Sequence, residues 1–380
     1  MKKHIIIVGA GISGVSIAYH LAIKGVKDIL VLDQGYFTSG ATGRCGAGIR
    51  QQWQTEMNAI MAKKSMEFFE KAEEILGYDG TVELKQEGYL ILATTPEEVK
   101  QFEKNVAMQN KFGIPSKVVS KTEALEIVPH LNKEAFISAT FCKTDGHLNP
   151  FKTTEAFYKA SLRLGVEFHF YEEVKGFKVE EQKVTHVITD KDTYETDIII
   201  NAAGGYAKEI GAMAGVDIPV YSENHEILAT EPVEKIQGPM VMSFSKNIYC
   251  QQVPHGAFLM GRSNPEQEPG HDISSTWQFL DEMSKTVCDI MPLIGKLNIV
   301  RQWGGSYNMS PDHQPIISKA NEISNFYMAC GFSGHGFMLA PMTGLLMSEL
   351  ILGLEPTIDL KALSIDRFKD QEIHIEKSVV

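Results

Sequence analysis

A short apolar strand that runs straight into glycines and a helix, a glycine-dense loop after the next strand, and a strand-rich stretch over 217–310 together predict an α/β protein. One part is a Rossmann-like parallel sheet. The other, interleaved with it, is an α+β unit built on an antiparallel sheet. The 380 residues are 43% hydrophobic and 22% charged, an ordinary globular composition that excludes disorder and coiled coil. At about 100–200 residues per domain, that length accommodates two domains or one large discontinuous one.

Residues 4–8 (HIIIV) form a continuous apolar run, as a strand covered on both faces requires. Gly9-Ala10-Gly11-Ile12-Ser13-Gly14 follows at once, then a helical pattern through Val15, Ala18, Leu21 and Ala22, closed by Gly25. Residues 29–32 (ILVL) are the second strand and Asp33 ends it. Gly9 makes the tight turn, Gly11 lets backbone approach a pyrophosphate, and Gly14 lets helix and strand pack closely. The helix start offers N–H groups and a positive dipole end to phosphates. Asp33 is placed to accept hydrogen bonds from ribose hydroxyls, and an acidic residue there disfavours NADP. The unit therefore reads as dinucleotide-binding.

The loop over 39–50 (SGATGRCGAGIR) brings backbone close to something flat or anionic, and nearby Ile49 and Trp53 argue against a plain surface loop. Residues 56–76 read as one long amphipathic helix, 88–93 as a strand, and 97–110 as a charged helix opened by Pro96. Residues 122–128 form a short helix with Thr122 as its cap. A helix over 151–164 ends at Gly165, before a strand over 166–171 that leads to Val174. Residues 197–201 are a buried strand ending in Ala202-Ala203-Gly204-Gly205. Residues 326–329 are a strand leading into Gly331-Phe332-Ser333-Gly334-His335-Gly336-Phe337 and an apolar helix. That helix, 337–354, carries Pro341, Ser348 and Glu349, so it reads as buried rather than membrane-spanning.

Lys and Arg number 36 against 48 Asp and Glu, a net charge of −12 that makes nucleic acid an unfavourable partner. Five widely spaced cysteines without a C-x-x-C support neither a disulfide framework nor a metal site. The N-terminus leaves no room for a secretory signal, so a cytoplasmic protein is expected.

The Gly9–Asp33 unit, the GATGRCGAGIRQQW loop, INAAG around Asn201, Ser310-Pro311-Asp312 and CGFSGHGF together resemble the D-amino-acid oxidase-type flavoproteins. Within them the chain is similar to β subunits of heteromeric sarcosine oxidases and dye-linked L-proline dehydrogenases, from about residue 2 to 366. The resemblance implies FAD, and oxidation of a C–N bond in an amino or imino acid. It implies an FAD-binding domain from 1–80, 145–215 and 311–380, and a substrate domain from 81–144 and 216–310.

By that resemblance the pyrophosphate meets Gly9, Ile12, Ser13 and Gly14, beside the Gly11 that the glycine motif already assigns, and the adenosine ribose meets Asp33. The flavin side meets Ser39, Gly40, Arg44, Cys45, Gly46 and Gly48. Val174 meets adenine through its backbone, and the Ala203-Gly204 junction also borders the cofactor. Gly334, His335, Gly336, Phe337 and Met338 line the ring's pyrimidine edge. Arg50 is the expected substrate-carboxylate ligand, since a guanidinium fork recognises carboxylates bidentately; Arg301 is the alternative. His225, Tyr249 and His335 are the remaining candidate catalytic residues.

Departures qualify the resemblance. Gly305 stands where monomeric sarcosine oxidases carry their FAD-tethering cysteine, so FAD is expected to be non-covalent. Met338 replaces a lysine, and Tyr307 stands where glycine oxidase keeps its carboxylate arginine. The position tethering FMN in heterotetrameric enzymes falls at or beside Phe151, with His147 shifted, which leaves non-covalent FMN at a subunit interface open. The expected partners are a small amino or imino acid and an α subunit or electron-transfer protein. A 2-hydroxyacid dehydrogenase and a flavin-holding subunit active only in a complex remain alternatives.

Overall fold

The computed structural model describes residues 2–264, 266–369 and 375–378. Among the described residues, two eight-stranded sheets and a two-stranded ribbon organise the chain. The first sheet runs Ile316–Lys319, Phe326–Cys330, Thr193–Asn201, Lys2–Val8, Ile29–Asp33, Glu167–Phe170. The last five strands are parallel, Ile316–Lys319 is antiparallel to its neighbour, and the hairpin Val174–Glu180/Lys183–Thr189 joins the start of Thr193–Asn201. Ile5, Ile6 and Ile7 have no exposure, which explains the unbroken apolar run: the two faces of this strand supply two separate cores. Because Phe326–Cys330, Thr193–Asn201 and Lys2–Val8 are adjacent and parallel, their glycine-bearing exits emerge at one edge of the sheet, the usual place for a ligand in this architecture.

The second sheet runs Ile299–Met309, Tyr221–Thr230, Phe258–Ser263, Ile248–Gln252, Met240–Ser243, Tyr89–Ala93, Ser138–Cys142, Ser116–Ser120. Its neighbours are antiparallel except Met240–Ser243 beside Tyr89–Ala93. The ribbon pairs Gly48–Ile49 with Gly146–His147. The apolar helix Gly336–Leu352 packs on Ile12–Ile23 and Glu56–Phe69, and the Ser16 hydroxyl donates to the Ala340 carbonyl at 2.8 Å. Among the described residues no helix is long and apolar enough to cross a membrane.

Four local expectations change. The helix expected over 56–76 breaks after Phe69 and resumes as Ala72–Ile75. The break lets Ala72 and Leu76 pack with Val82 and Phe157, while Glu73 accepts the Val82 N–H. The short helix Lys121–Ile127 is capped by Ser120 rather than Thr122, because Ser120 and Glu123 form a reciprocal capping box. Val174 opens the strand Val174–Glu180 instead of ending the previous one, after a turn with Tyr171 at positive φ. The strand-rich stretch also contains a helix, Trp277–Ile290, which buries Phe279, Met283, Val287 and Ile290.

Candidate active site

The three glycine exits border a cleft of about 470 Å3. A Cβ on Gly14 would lie 1.9 Å from the Gly9 carbonyl oxygen, and one on Gly9 would lie 2.3 Å from that of Ala202. These two glycines therefore set how closely helix, turn and neighbouring strand exit approach. Gly14 serves packing under the turn. Gly9, Gly11, Ile12 and Ser13 line the cleft itself. The Ile12 N–H donates to Thr42 Oγ1 at 3.1 Å, so it is committed to the glycine-rich loop rather than held free for phosphate. Asp33 also binds backbone: its carboxylate accepts Ala10 N–H at 2.7 Å and Gly35 N–H at 2.8 Å. Each oxygen retains lone-pair capacity for a hydroxyl. Nearby Glu172, 4% exposed, accepts from Thr189 and Tyr194 hydroxyls.

Ser39, Gly40, Arg44, Cys45, Val174, Ala203, Gly204, Gly334 and Gly336 line the same cleft. Among the described residues a Cβ on Gly40 or Gly204 would meet nothing within 4 Å, so this wall is an open cradle of bare backbone. Together with the helix start at Ile12, it fits an extended dinucleotide. Arg44 holds the loop to the second sheet: its carbonyl accepts the Trp303 indole N–H at 2.9 Å, and its stem covers Gly305. Burial pushes the Cys45 thiol up to about 11, so it stays protonated, and it donates to the Thr42 carbonyl.

A second, smaller pocket of about 70 Å3 shares Cys45, Tyr307, Gly334 and Phe337 with the cleft. Gly46, Gly48, Arg50, Tyr249, His335 and Met338 line it. The ribbon places Arg50 directly after Ile49, and Arg50 is 4% exposed. Its Nη1 donates to the Gln52 carbonyl at 2.9 Å and its Nη2 to the Ser378 carbonyl at 2.5 Å. The guanidinium carbon lies 3.8 Å from the Trp53 ring centroid, and the Trp53 indole N–H donates to the Arg50 carbonyl. Nε has no partner, and no carboxylate pairs with the guanidinium among the described residues. Burial lowers its affinity for the proton; Tyr89, Glu376, Asp145 and Tyr307 oppose this. Asp145 is fully buried and accepts from Gln51 and Gln52, yet burial raises its pKa to about 6.

His335 stands beside this cation, its ring 4.7 Å from that of Trp53, at the start of Gly336–Leu352. Among the described residues neither ring nitrogen has a partner, and burial together with Arg50 lowers its pKa to about 3. On the antiparallel sheet, His225 stacks between Tyr307 (4.2 Å, 2°) and Tyr249 (5.6 Å, 6°). Its Nε2 meets the Tyr249 hydroxyl at 3.2 Å and its Nδ1 meets Ser263 Oγ at 3.3 Å. Glycine at 261 makes this possible, because a Cβ there would lie 2.2 Å from the Tyr249 hydroxyl. Burial lowers the His225 pKa to about 3 and raises those of Tyr249 and Tyr307, so all three are neutral near pH 7. Arg301 is exposed over Trp303 and lines neither cavity. Among the described residues, no group of three or more His, Cys, Asp and Glu is placed to hold a metal ion.

A sequence family described as FAD dependent oxidoreductase matches residues 4–350. The chain belongs to the FAD dependent oxidoreductase family. Among solved structures of similar fold is L-proline dehydrogenase from P. horikoshii, 38% identical, with a TM-score of 0.93 over 98% of this chain and 99% of that one. Sarcosine oxidase subunit beta of Rhodobacter capsulatus is 25% identical over 100% of this chain and 91% of that protein. Mitochondrial dimethylglycine dehydrogenase of Rattus norvegicus is 27% identical over 97% of this chain. This FAD dependent oxidoreductase spans about half the length of that relative, 45%.

Sequence reasoning overlooked Thr42, Trp53, Tyr89, Asp145 and Ser378 as parts of the site, and Tyr307 as its junction. Tyr307 carried a signal, since it alternates with Gly305 on one strand face. Ser378 carried none: it reaches Arg50 only through folding, 328 residues away.

Proposed function

We propose that the chain oxidises the C–N bond of a small amino or imino acid of the proline, sarcosine or glycine type. FAD lies non-covalently in the large cleft, held mainly by residues of 1–80, 145–215 and 311–380. The substrate occupies the small pocket, which 81–144 and 216–310 complete. The observation that carries this reading is Arg50: a buried cation that, among the described residues, has no carboxylate partner and an unused Nε. A substrate carboxylate would supply the missing counter-charge.

Bound FAD supplies the two-electron acceptor for the bond that is oxidised. The protein's own work is positioning. Arg50 orients the carboxylate, and Trp53 keeps the guanidinium plane fixed. Tyr307 and Phe337, which border both cavities, set the amine end facing the cleft. His335, whose ring nitrogens have no partner among the described residues, hydrogen-bonds the amine, and His225 borders the cleft beside it. With pKa values near 3 neither imidazole can hold the ammonium proton, which leaves to solvent before the amine is oxidised. The protonated Tyr249 hydroxyl holds His225 in place.

The similarity to a sarcosine oxidase β subunit supports a heteromeric enzyme in which a partner carries electrons away. FMN at a subunit interface belongs to the same proposal, and extraction of the purified complex should release it beside FAD. The substrate reading is tested by anaerobic mixing of the FAD-loaded protein with L-proline, sarcosine, glycine and 2-hydroxyglutarate. Bleaching of the flavin absorbance by an amino or imino acid is expected. Bleaching by the hydroxyacid alone overturns the proposal.

A further inference from the structure

Residues 375–378 lie far in sequence from the ribbon that carries Arg50, yet they line the small pocket through Ser378. Their attachment is built rather than casual. Glu376 has no exposure, and its Oε2 accepts the Thr55 N–H at 2.9 Å, the Thr55 hydroxyl at 2.8 Å and the Asn58 amide at 3.4 Å. Its Oε1 accepts the Ser378 N–H at 2.9 Å, which folds the segment back toward Arg50. The Glu376 N–H donates to the Asp312 carbonyl at 2.9 Å, and His313 Nδ1 lies 3.2 Å from the Glu376 carbonyl. Glu376 thus ties together three parts: its carboxylate holds the start of helix Glu56–Phe69 and the wall over Arg50, and its backbone holds the turn at 310–313.

The guanidinium is clamped between two carbonyls. Gln52 holds Nη1 from within the loop, and Ser378 holds Nη2 from the segment. The unpartnered Nε and the nearby His335 ring complete this end of the pocket. We infer that residues 375–378 are the specificity-determining wall of the substrate pocket, with Glu376 as its anchor and Ser378 as the residue that aims Arg50 and limits substrate size. This rests on the reading that Arg50 binds the substrate carboxylate. Glu376 acts through Ser378, and is a positioning residue.

Two variants test it on the FAD-loaded protein. Glu376→Gln keeps the volume but turns an acceptor into an NH2 donor facing donors on either side. A chain cut before residue 375 removes the wall entirely. The probes are acetate and cyclohexanecarboxylate, carboxylates with no oxidisable amine, measured by calorimetry and by the flavin spectrum. Wild type should bind acetate and discriminate against the bulky acid. Both variants should weaken acetate about tenfold, the loss of one charge-assisted contact, and tighten cyclohexanecarboxylate about tenfold. KM for the amino-acid substrate should rise while kcat changes less, and amide hydrogen exchange in 375–378 should accelerate in Glu376→Gln. Discrimination and KM unchanged in both variants, with wild type active on amino acids, overturn the wall alone. A wild type that binds neither acid and is reduced by no amino acid overturns the reading beneath it.

Discussion

Replacing Arg50 by Met separates what this side chain does for binding from what it does for folding. Met keeps an apolar stem against Trp53 and removes the charge. Losing one partner of a buried, hydrogen-bonded charge pair costs about 2–5 kcal/mol. At about 1.4 kcal/mol per tenfold, that raises KM by about 30-fold to 4,000-fold. Stability should move far less. The Gln52 and Ser378 carbonyls each lose a donor, about 1 kcal/mol apiece, and the stacking on Trp53 adds up to about 2 kcal/mol. Against this, a buried cation without an ion-pair partner among the described residues no longer has to be desolvated. Stopped-flow reduction across a concentration series of L-proline and of pyrrolidine, which lacks the carboxylate, reads the difference. The variant should lose its preference for proline while treating pyrrolidine as wild type does. Proline KM within threefold of wild type would refute the assignment of Arg50.

Tyr249→Phe leaves His225 Nε2 without its hydroxyl partner, so the ring is no longer fixed against the cleft; kcat should fall about 100-fold, as for a misplaced group at a reacting centre, while KM stays within threefold in the same assay. His20, His225 and His335 are buried with pKa values lowered to about 4, 3 and 3. The unfolded chain protonates them from about 6.5, so stability is lost as pH falls from there toward 4, each contributing up to about 1.4 kcal/mol per pH unit. Asp145, raised to about 6, has the opposite sign and offsets part of this between its unfolded pKa and 6. Urea unfolding across that range should show the net loss, and His20→Gln should reduce its slope by about one proton. Gly14→Ala should destabilise the flavin-free protein by about 1–3 kcal/mol, because its methyl collides with the Gly9 carbonyl. The Gly40→Ala methyl meets nothing within 4 Å among the described residues, so thermal unfolding of the flavin-free protein should be unchanged while its FAD titration weakens.

Local chemistry made the cofactor cleft legible. Its strand, glycine turn, helix and acidic strand end are contiguous in the chain, and each glycine is required by a nearby backbone atom. Helix Trp277–Ile290 was obscured because the Gly and Pro punctuation around it reads as strand-rich, although Phe279, Met283, Val287 and Ile290 keep a helical period. The break in the helix at Glu70 was not legible either. The sequence there is helix-compatible, and only packing of Leu76 against Val82 and Phe157 decides it.

By itself, then, the sequence determined the dinucleotide-type sheet, the glycine exits, and the chemical types available at the site: an arginine, tyrosines and two histidines. Tertiary structure decided which of them meet. Arg50 over Arg301 is a matter of burial, His225 between two tyrosines a matter of strand register, and Ser378 on Arg50 a matter of long-range docking through Glu376. Spacing along a chain encodes contacts within one turn or one strand. Contacts between the two sheets depend on how separate cores pack, and no local pattern records that.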